Sequence, residues 1–149
     1  MSEKVILLAE DNPDDEALTL RAFKKYNVSN QVIVVHDGQE ALDYIFGGGA
    51  YAGRDVSIQP QVVLLDINLP KINGLDVLKR IRSDERTRMM PVVILTSSAE
   101  ERDRISAYNN FVNSYILKPV DFDQFSEAVR ELGLYWMLLN QPPPRSRAA

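Results

Sequence analysis

The chain has 149 residues, 45% hydrophobic and 26% charged, which suits one globular domain. At this length roughly 68–70% of the unfolded chain's surface can be buried, so a core needs no staples, and the absence of cysteine excludes disulfides, thiolate metal sites and thiol nucleophiles. Seventeen basic residues against 21 acidic give a net charge of −4, which disfavours nucleic-acid binding through phosphate neutralisation, and no apolar run approaches the roughly 20 residues of a membrane span.

The start, MSEKVILLAED, has too short an apolar run for a signal peptide and meets acids at once, so a cytoplasmic location is expected. Its KVILLA segment (4–9) is the first of five aliphatic runs. The others are QVIVVH (31–36), QVVLLD (61–66), PVVILT (91–96) and SYILK (114–118). All are rich in Val, Ile and Leu with almost no polar alternation, the pattern of parallel strands covered on both faces.

Helical segments fill the gaps, and each opens with capping chemistry. Asn12 precedes Pro13, a residue suited to the first helical position. Asp37 lies three before Glu40, and Ser98 three before Glu101, a capping box. Asn73 precedes Gly74, and Asp121 lies three before Gln124; both are good N-caps. Five successive βα units predict an α/β fold with a doubly wound five-stranded parallel sheet, flavodoxin-like, in strand order 2-1-3-4-5. Residues 46–60, FGGGAYAGRDVSIQP, form a long link whose glycines match no phosphate-binding fingerprint; a flexible surface insertion is expected. Residues 1–140 read as the domain and 141–149, Pro-rich, as a disordered tail, with no further effector domain expected.

In open α/β sheets, ligands bind beyond the carboxyl ends of the strands. There the sequence places Glu10 and Asp11 (first strand), Asp66 (third), Thr96 (fourth) and Lys118 (fifth). The second strand ends at His36 and Asp37, on the sheet edge; His36, the sole histidine, has no second imidazole to work with and reads as structural. Three crowded carboxylates raise one another's pKa, a cost that a hard cation such as Mg²⁺ relieves. A lysine facing them suits a phosphate oxygen, and a threonine hydroxyl can bond another. The set fits phosphoryl transfer to a carboxylate, with Asp66 attacking while metal and lysine neutralise developing charge. Singly, each residue has a plain structural reading; five at converging strand ends do not.

With AED (9–11), LLDINLPKINGLDVL (64–78), ILTSS (94–98) and YILKP (115–119) in order at the right strand ends, the chain resembles a response-regulator receiver domain of a two-component system over roughly residues 4–139. The resemblance implies Asp66 as phosphoacceptor and Glu10, Asp11, Asp66 and the Asn68 main-chain carbonyl as Mg²⁺ ligands. It implies Thr96 and Tyr115 as switch residues, Lys118 as partner of the aspartate or its phosphate, and a cis bond before Pro119. Glu10 stands where the family often has aspartate. Asn68 and Ser98 are the positions that tune hydrolysis of the aspartyl phosphate in the family. NLP after Asp66, the long link, VNSYILKPVDFDQF and the late YW further resemble cyanobacterial phytochrome response regulators. The implied function is a single-domain response regulator, not an enzyme in its own right, that takes phosphate from a sensor histidine kinase, a phytochrome in that case, and switches its surface for a downstream partner. A phosphorelay intermediate or a pure binding module is the alternative.

Three rivals weaken on particular residues. Haloacid-dehalogenase-type phosphatases carry a second acid two residues after the nucleophile, and Asn68 stands there. A flavin phosphate would be repelled by EDNPDD after the first strand. A degenerate receiver would not keep every site residue type.

In the last helical segment Phe122, Phe125, Val129, Leu132, Trp136 and Leu139 make a core-facing stripe, while Leu134, Tyr135, Met137 and Leu138 fill the other faces. An end apolar all round needs a partner. A homodimer is expected through the fourth predicted helix, the fifth strand, the fifth helix and this C-terminal end.

Overall fold

The computed structural model describes residues 5–25, 31–97 and 114–131. Five parallel strands, β1 (Val5–Ala9), β2 (Gln31–Val35), β3 (Val62–Asp66), β4 (Val92–Thr96) and β5 (Ser114–Leu117), form one sheet in the order β2-β1-β3-β4-β5. The helices are α1 (Pro13–Lys25), α2 (Gly38–Phe46), α3 (Gly74–Ser83) and α4 (Phe122–Glu131). The doubly wound order read from the sequence is therefore the one adopted, with strand limits within one residue of those expected. The expected helix opening at Ser98, the apolar end beyond Glu131 and the Pro-rich tail lie outside the described residues. Among the described residues no helix is long and apolar enough to cross a membrane.

Burial explains why the strand runs lack polar alternation. Successive side chains of a strand point to opposite faces, and here both faces are covered. Leu7, Ala9, Val63, Leu65 and Ile94 join Ala41, Leu42 and Ile45 of α2 and Val77, Leu78 and Ile81 of α3 in one apolar layer. Ile6, Leu8, Leu64, Val93, Leu95 and Ile116 join Phe23 of α1 and Phe125 and Ala128 of α4 in the other. The Phe23 and Phe125 rings meet at 4.6 Å between centroids and tie α1 to α4 across that second face.

The helix starts carry the caps anticipated. The Asn12 side-chain oxygen accepts from the backbone N–H of Asp14 (2.8 Å) and Asp15 (3.0 Å). Asp37 accepts from Glu40 N–H at 2.7 Å, Asn73 from Asp76 N–H at 2.9 Å and Asp121 from Gln124 N–H at 2.8 Å. The Glu40 carboxylate reaches one residue further back than a capping box requires, accepting from His36 N–H at 2.8 Å. His36 itself stays at the exposed edge, its Nε2 2.9 Å from Glu16.

The long link is laced to α2 chiefly by Arg54, with Gln59 also donating to Ile45 O at 2.9 Å. α2 ends at Gly47 in the left-handed conformation (φ 75°), which leaves the last carbonyls of the helix without intrahelical partners. Arg54 donates to two of them, Tyr44 O at 2.6 Å and Ile45 O at 3.3 Å, and to Ile58 O at 2.7 Å. Its guanidinium also lies 4.1 Å from the centroid of the Tyr44 ring.

Helix α3 abuts the end of β3 so closely that its first residue must be glycine. A Cβ on Gly74 would lie 2.3 Å from the Asp66 carbonyl oxygen and 2.8 Å from Ile67 Cα. The approach is held by a hydrogen bond from Gly74 N–H to Ile67 O at 3.0 Å. Gly74→Ala is expected to destabilise the fold by about 2–3 kcal/mol, because both opposing atoms are backbone. Urea unfolding would show this as a lower midpoint at unchanged slope.

Candidate functional site

The ladder hydrogen bonds deliver the polar residues to one edge of the sheet. Glu10 follows Ala9, which pairs with Val35 on one side and Leu65 on the other, and Glu10 N–H donates to Val35 O at 3.0 Å. Asp66 ends β3 beside Leu95, the neighbour of Thr96. Lys118 follows β5, its N–H donating to Thr96 O at 2.8 Å. Glu10, Asp66 and Thr96 are buried, at 0%, 2% and 0% exposure, while Asp11 and Asn68 reach the surface.

The centre of the site is the Lys118 ammonium. It donates to Asp66 Oδ2 at 2.6 Å, Glu10 Oε2 at 3.1 Å and Asp15 Oδ2 at 3.1 Å. Asp66 Oδ1 accepts from Asn68 N–H at 2.9 Å, and Glu10 Oε2 also accepts from Asn12 N–H at 3.2 Å. The peptide bond from Lys118 to Pro119 is cis, as the resemblance implies. Burial opposes the charged form of Lys118, but the hydrogen bonds it donates to Asp66 and Glu10 outweigh it and hold the ammonium above the ordinary lysine range. Burial, followed by the facing Asp66 carboxyl, pushes Glu10 up to about 8, against the opposing pull of Lys118.

One oxygen stands out in this arrangement. Glu10 Oε1 is fully buried and lies 3.0 Å from the ammonium, yet accepts no hydrogen bond. Oxygens from Glu10, Asp11 and Asp66 lie within 4.8 Å of one another. An all-oxygen donor set in which one buried carboxylate oxygen has only the ammonium beside it fits a hard divalent cation such as Mg²⁺ or Mn²⁺.

Of the residues singled out in the sequence, Glu10, Asp11, Asp66 and Lys118 converge. Thr96 is buried at the same strand end, and Asn68 sits in the loop that bonds Asp66. Tyr115 lies on β5, three residues before Lys118 and paired with Ile94, its ring against the apolar layer of α2 and α3. Its hydroxyl is buried with no hydrogen-bond partner among the described residues. Asp15 was not foreseen. It lies in the first turn of α1, three residues past the Asn12 cap, and nothing in the local sequence sets it apart from Asp14 beside it.

A parallel 2-1-3-4-5 sheet with acids, a hydroxyl and a lysine at its carboxyl edge defines a receiver-type α/β protein. The chain belongs to the response regulator receiver domain family, whose profile matches residues 6–130. It is 49% identical to the structure titled bacteriophytochrome response regulator RtBRR, with a TM-score of 0.86, covering 97% of this chain and 86% of that one. It is 41% identical over 141 residues to the probable methanogenesis regulatory protein FilR2 of Methanothrix harundinacea (strain 6Ac), covering 93% of this chain and 87% of that protein. Response regulator Rcp1 of Synechocystis sp. (strain ATCC 27184 / PCC 6803 / Kazusa) is 34% identical over 134 residues, covering 90% of this chain and 89% of that protein. A Mn²⁺-bound structure of response regulator Rcp1 matches with a TM-score of 0.71 at 31% identity, covering 96% and 99%.

Two outcomes follow from this geometry. Between the ordinary glutamate range and about pH 8 the unfolded chain has released the Glu10 proton while the folded chain keeps it. In metal-free solution, stability is therefore expected to fall as pH rises through that window, by on the order of a few kcal/mol. Chemical denaturation across pH would show it, and Glu10→Gln would flatten the slope. Tyr115→Phe removes a buried hydroxyl that lacks a partner, so it is expected to leave stability unchanged or raise it by up to about 1–2 kcal/mol. A thermal melt lowered by several degrees would contradict this.

Proposed function

We propose that this receiver accepts a phosphoryl group on Asp66 from the phosphohistidine of a sensor histidine kinase. The observation that carries this reading is the Asp66 carboxylate itself: buried at the end of a central strand, in contact with an ammonium and beside two further acids. Such a carboxylate is costly in a fold that does not use it. In the transfer the P–N bond to the imidazole breaks and a P–O bond forms to an Asp66 oxygen. The imidazole leaves with the bonding pair and takes up a proton.

Glu10, Asp11, Asp66 and the Asn68 main-chain carbonyl would hold Mg²⁺, which when bound supplies positive charge to the phosphoryl oxygens. Lys118 offsets the charge that builds on those oxygens from the opposite side. The Thr96 hydroxyl bonds the phosphoryl group and draws inward, and Tyr115 follows into the space it leaves. The unpartnered Tyr115 hydroxyl supports that switch, since a rearrangement that supplies a partner gains a hydrogen bond. The surface around β5 then differs between two states biased by one covalent group.

Similarity to the bacteriophytochrome response regulator RtBRR supports a phytochrome kinase as the donor. A cytoplasmic location, action through protein partners rather than nucleic acid, and a homodimer through β5, the neighbouring helices and the apolar C-terminal end complete the reading. The match to a methanogenesis regulator favours a second one: the same phosphoacceptor chemistry serving a different input and output.

The chemistry is tested with acetyl phosphate and Mg²⁺, read by intact mass. One added phosphoryl group is expected on the wild type and none on Asp66→Asn. Equal labelling of both would move the acceptor to another residue.

A further inference from the structure

Lys118 has three carboxylate partners, and they are not equivalent. Glu10 and Asp66 belong to the cluster of oxygens that fits a divalent cation; Asp15, on α1, does not. A cation entering that cluster competes with the ammonium for the oxygens of Glu10 and Asp66, because a carboxylate oxygen that binds a metal is a poorer acceptor for a second positive charge. Two positive groups in one buried hollow also repel. The ammonium then needs an anchor outside the metal's donor set, and Asp15 is the carboxylate already in contact with it at 3.1 Å.

Asp15 is built to stay there. Its backbone N–H donates to the Asn12 side chain at 3.0 Å, and its carbonyl accepts from the buried Thr19 hydroxyl at 2.9 Å. Asn12 in turn donates its own N–H to Glu10 at 3.2 Å, so one cap residue sets both acids that flank the lysine. The Asp15 side chain is a quarter exposed, unlike those of Glu10 and Asp66, so its negative charge costs little when the site rearranges.

We infer that Asp15 is a positioning residue for phosphoryl transfer: it holds the Lys118 ammonium when a divalent cation occupies Glu10, Asp11 and Asp66, and so lets metal and lysine share the site. The inference rests on the phosphoacceptor reading of Asp66. Without Asp15 the ammonium holds to Glu10 and Asp66 alone, competes with the metal, and is misplaced for the incoming phosphoryl oxygens.

The test compares Asp15→Asn with Asp14→Asn, which removes the same charge from the same helical turn at an exposed position. Mg²⁺ affinity is measured by calorimetry, and labelling by acetyl phosphate is followed by intact mass. Asp15→Asn is expected to weaken Mg²⁺ binding by about tenfold, the scale of one charge-assisted hydrogen bond, and to slow labelling. Asp14→Asn is expected to change either by about twofold or less, and Asp15→Glu to restore most of the loss. In a Lys118→Gln background the difference between the two asparagine variants should disappear. In protein with ¹⁵N-labelled lysine, the Lys118 ammonium resonance should stay protected from exchange when Mg²⁺ is added to the wild type and lose that protection in Asp15→Asn. Equal effects of the two asparagine variants, or an Asp15 effect undiminished without Lys118, would overturn the inference while leaving Asp66 as acceptor. A wild type that takes no phosphoryl group would instead overturn the reading on which it rests.

Discussion

One ammonium holds the functional edge of this molecule together. Lys118 bonds carboxylates that precede it by 52, 103 and 108 residues, so a single side chain joins the ends of β1, β3 and β5 to the start of α1. Its positive charge does not balance what surrounds it. Glu10, Asp15, Asp66 and the nearby Asp11 present four carboxyl groups, and Glu10 holds its proton well above the usual range, first because it is buried and then because Asp66 faces it. A site short of positive charge takes up a cation readily, and metal capture costs less when the donors are already placed.

The rest of the fold serves to keep that imbalance in place. Apolar layers on both faces hold the three central strands, so the ends of β1, β3 and β4 cannot drift relative to one another. The ladder then continues one residue past the strands, through the amide bonds of Glu10, Ile67 and Lys118. Gly74 lets α3 start against the Asp66 carbonyl. Gly38 does the same for α2, where a Cβ would lie 1.8 Å from Ile72 O. The loop that follows Asp66 is thus packed backbone to backbone against the starts of both α2 and α3.

The contrast between Thr96 and Tyr115 bears on the proposed switch. Thr96 lies sealed at the strand end, while Tyr115 carries its ring in the apolar layer and its hydroxyl in a buried position without a partner. Among the described residues this arrangement therefore leaves one hydroxyl on β5 without a partner. In the proposed switch, a state that supplies a partner to the Tyr115 hydroxyl gains a hydrogen bond that biases the equilibrium toward it.

Local chemistry made most of the fold legible. The five aliphatic runs, the caps at Asn12, Asp37, Asn73 and Asp121, and the polar residues that end the strands are each properties of a few adjacent residues, and five βα units suit the strand order adopted. Glu10, Asp11, Asp66 and Lys118 could be assembled because strand ends in a parallel sheet meet at one edge. The Asp15 contact and the lacing of the 46–60 link by Arg54 could not. Asp15 reaches Lys118 only because α1 packs beside β1 with its first turn facing the site. Arg54 finds its partners only where Gly47 ends α2 and bares two carbonyls. Both depend on how a helix lies against its neighbours, and that is decided by the packing of residues far apart in the chain.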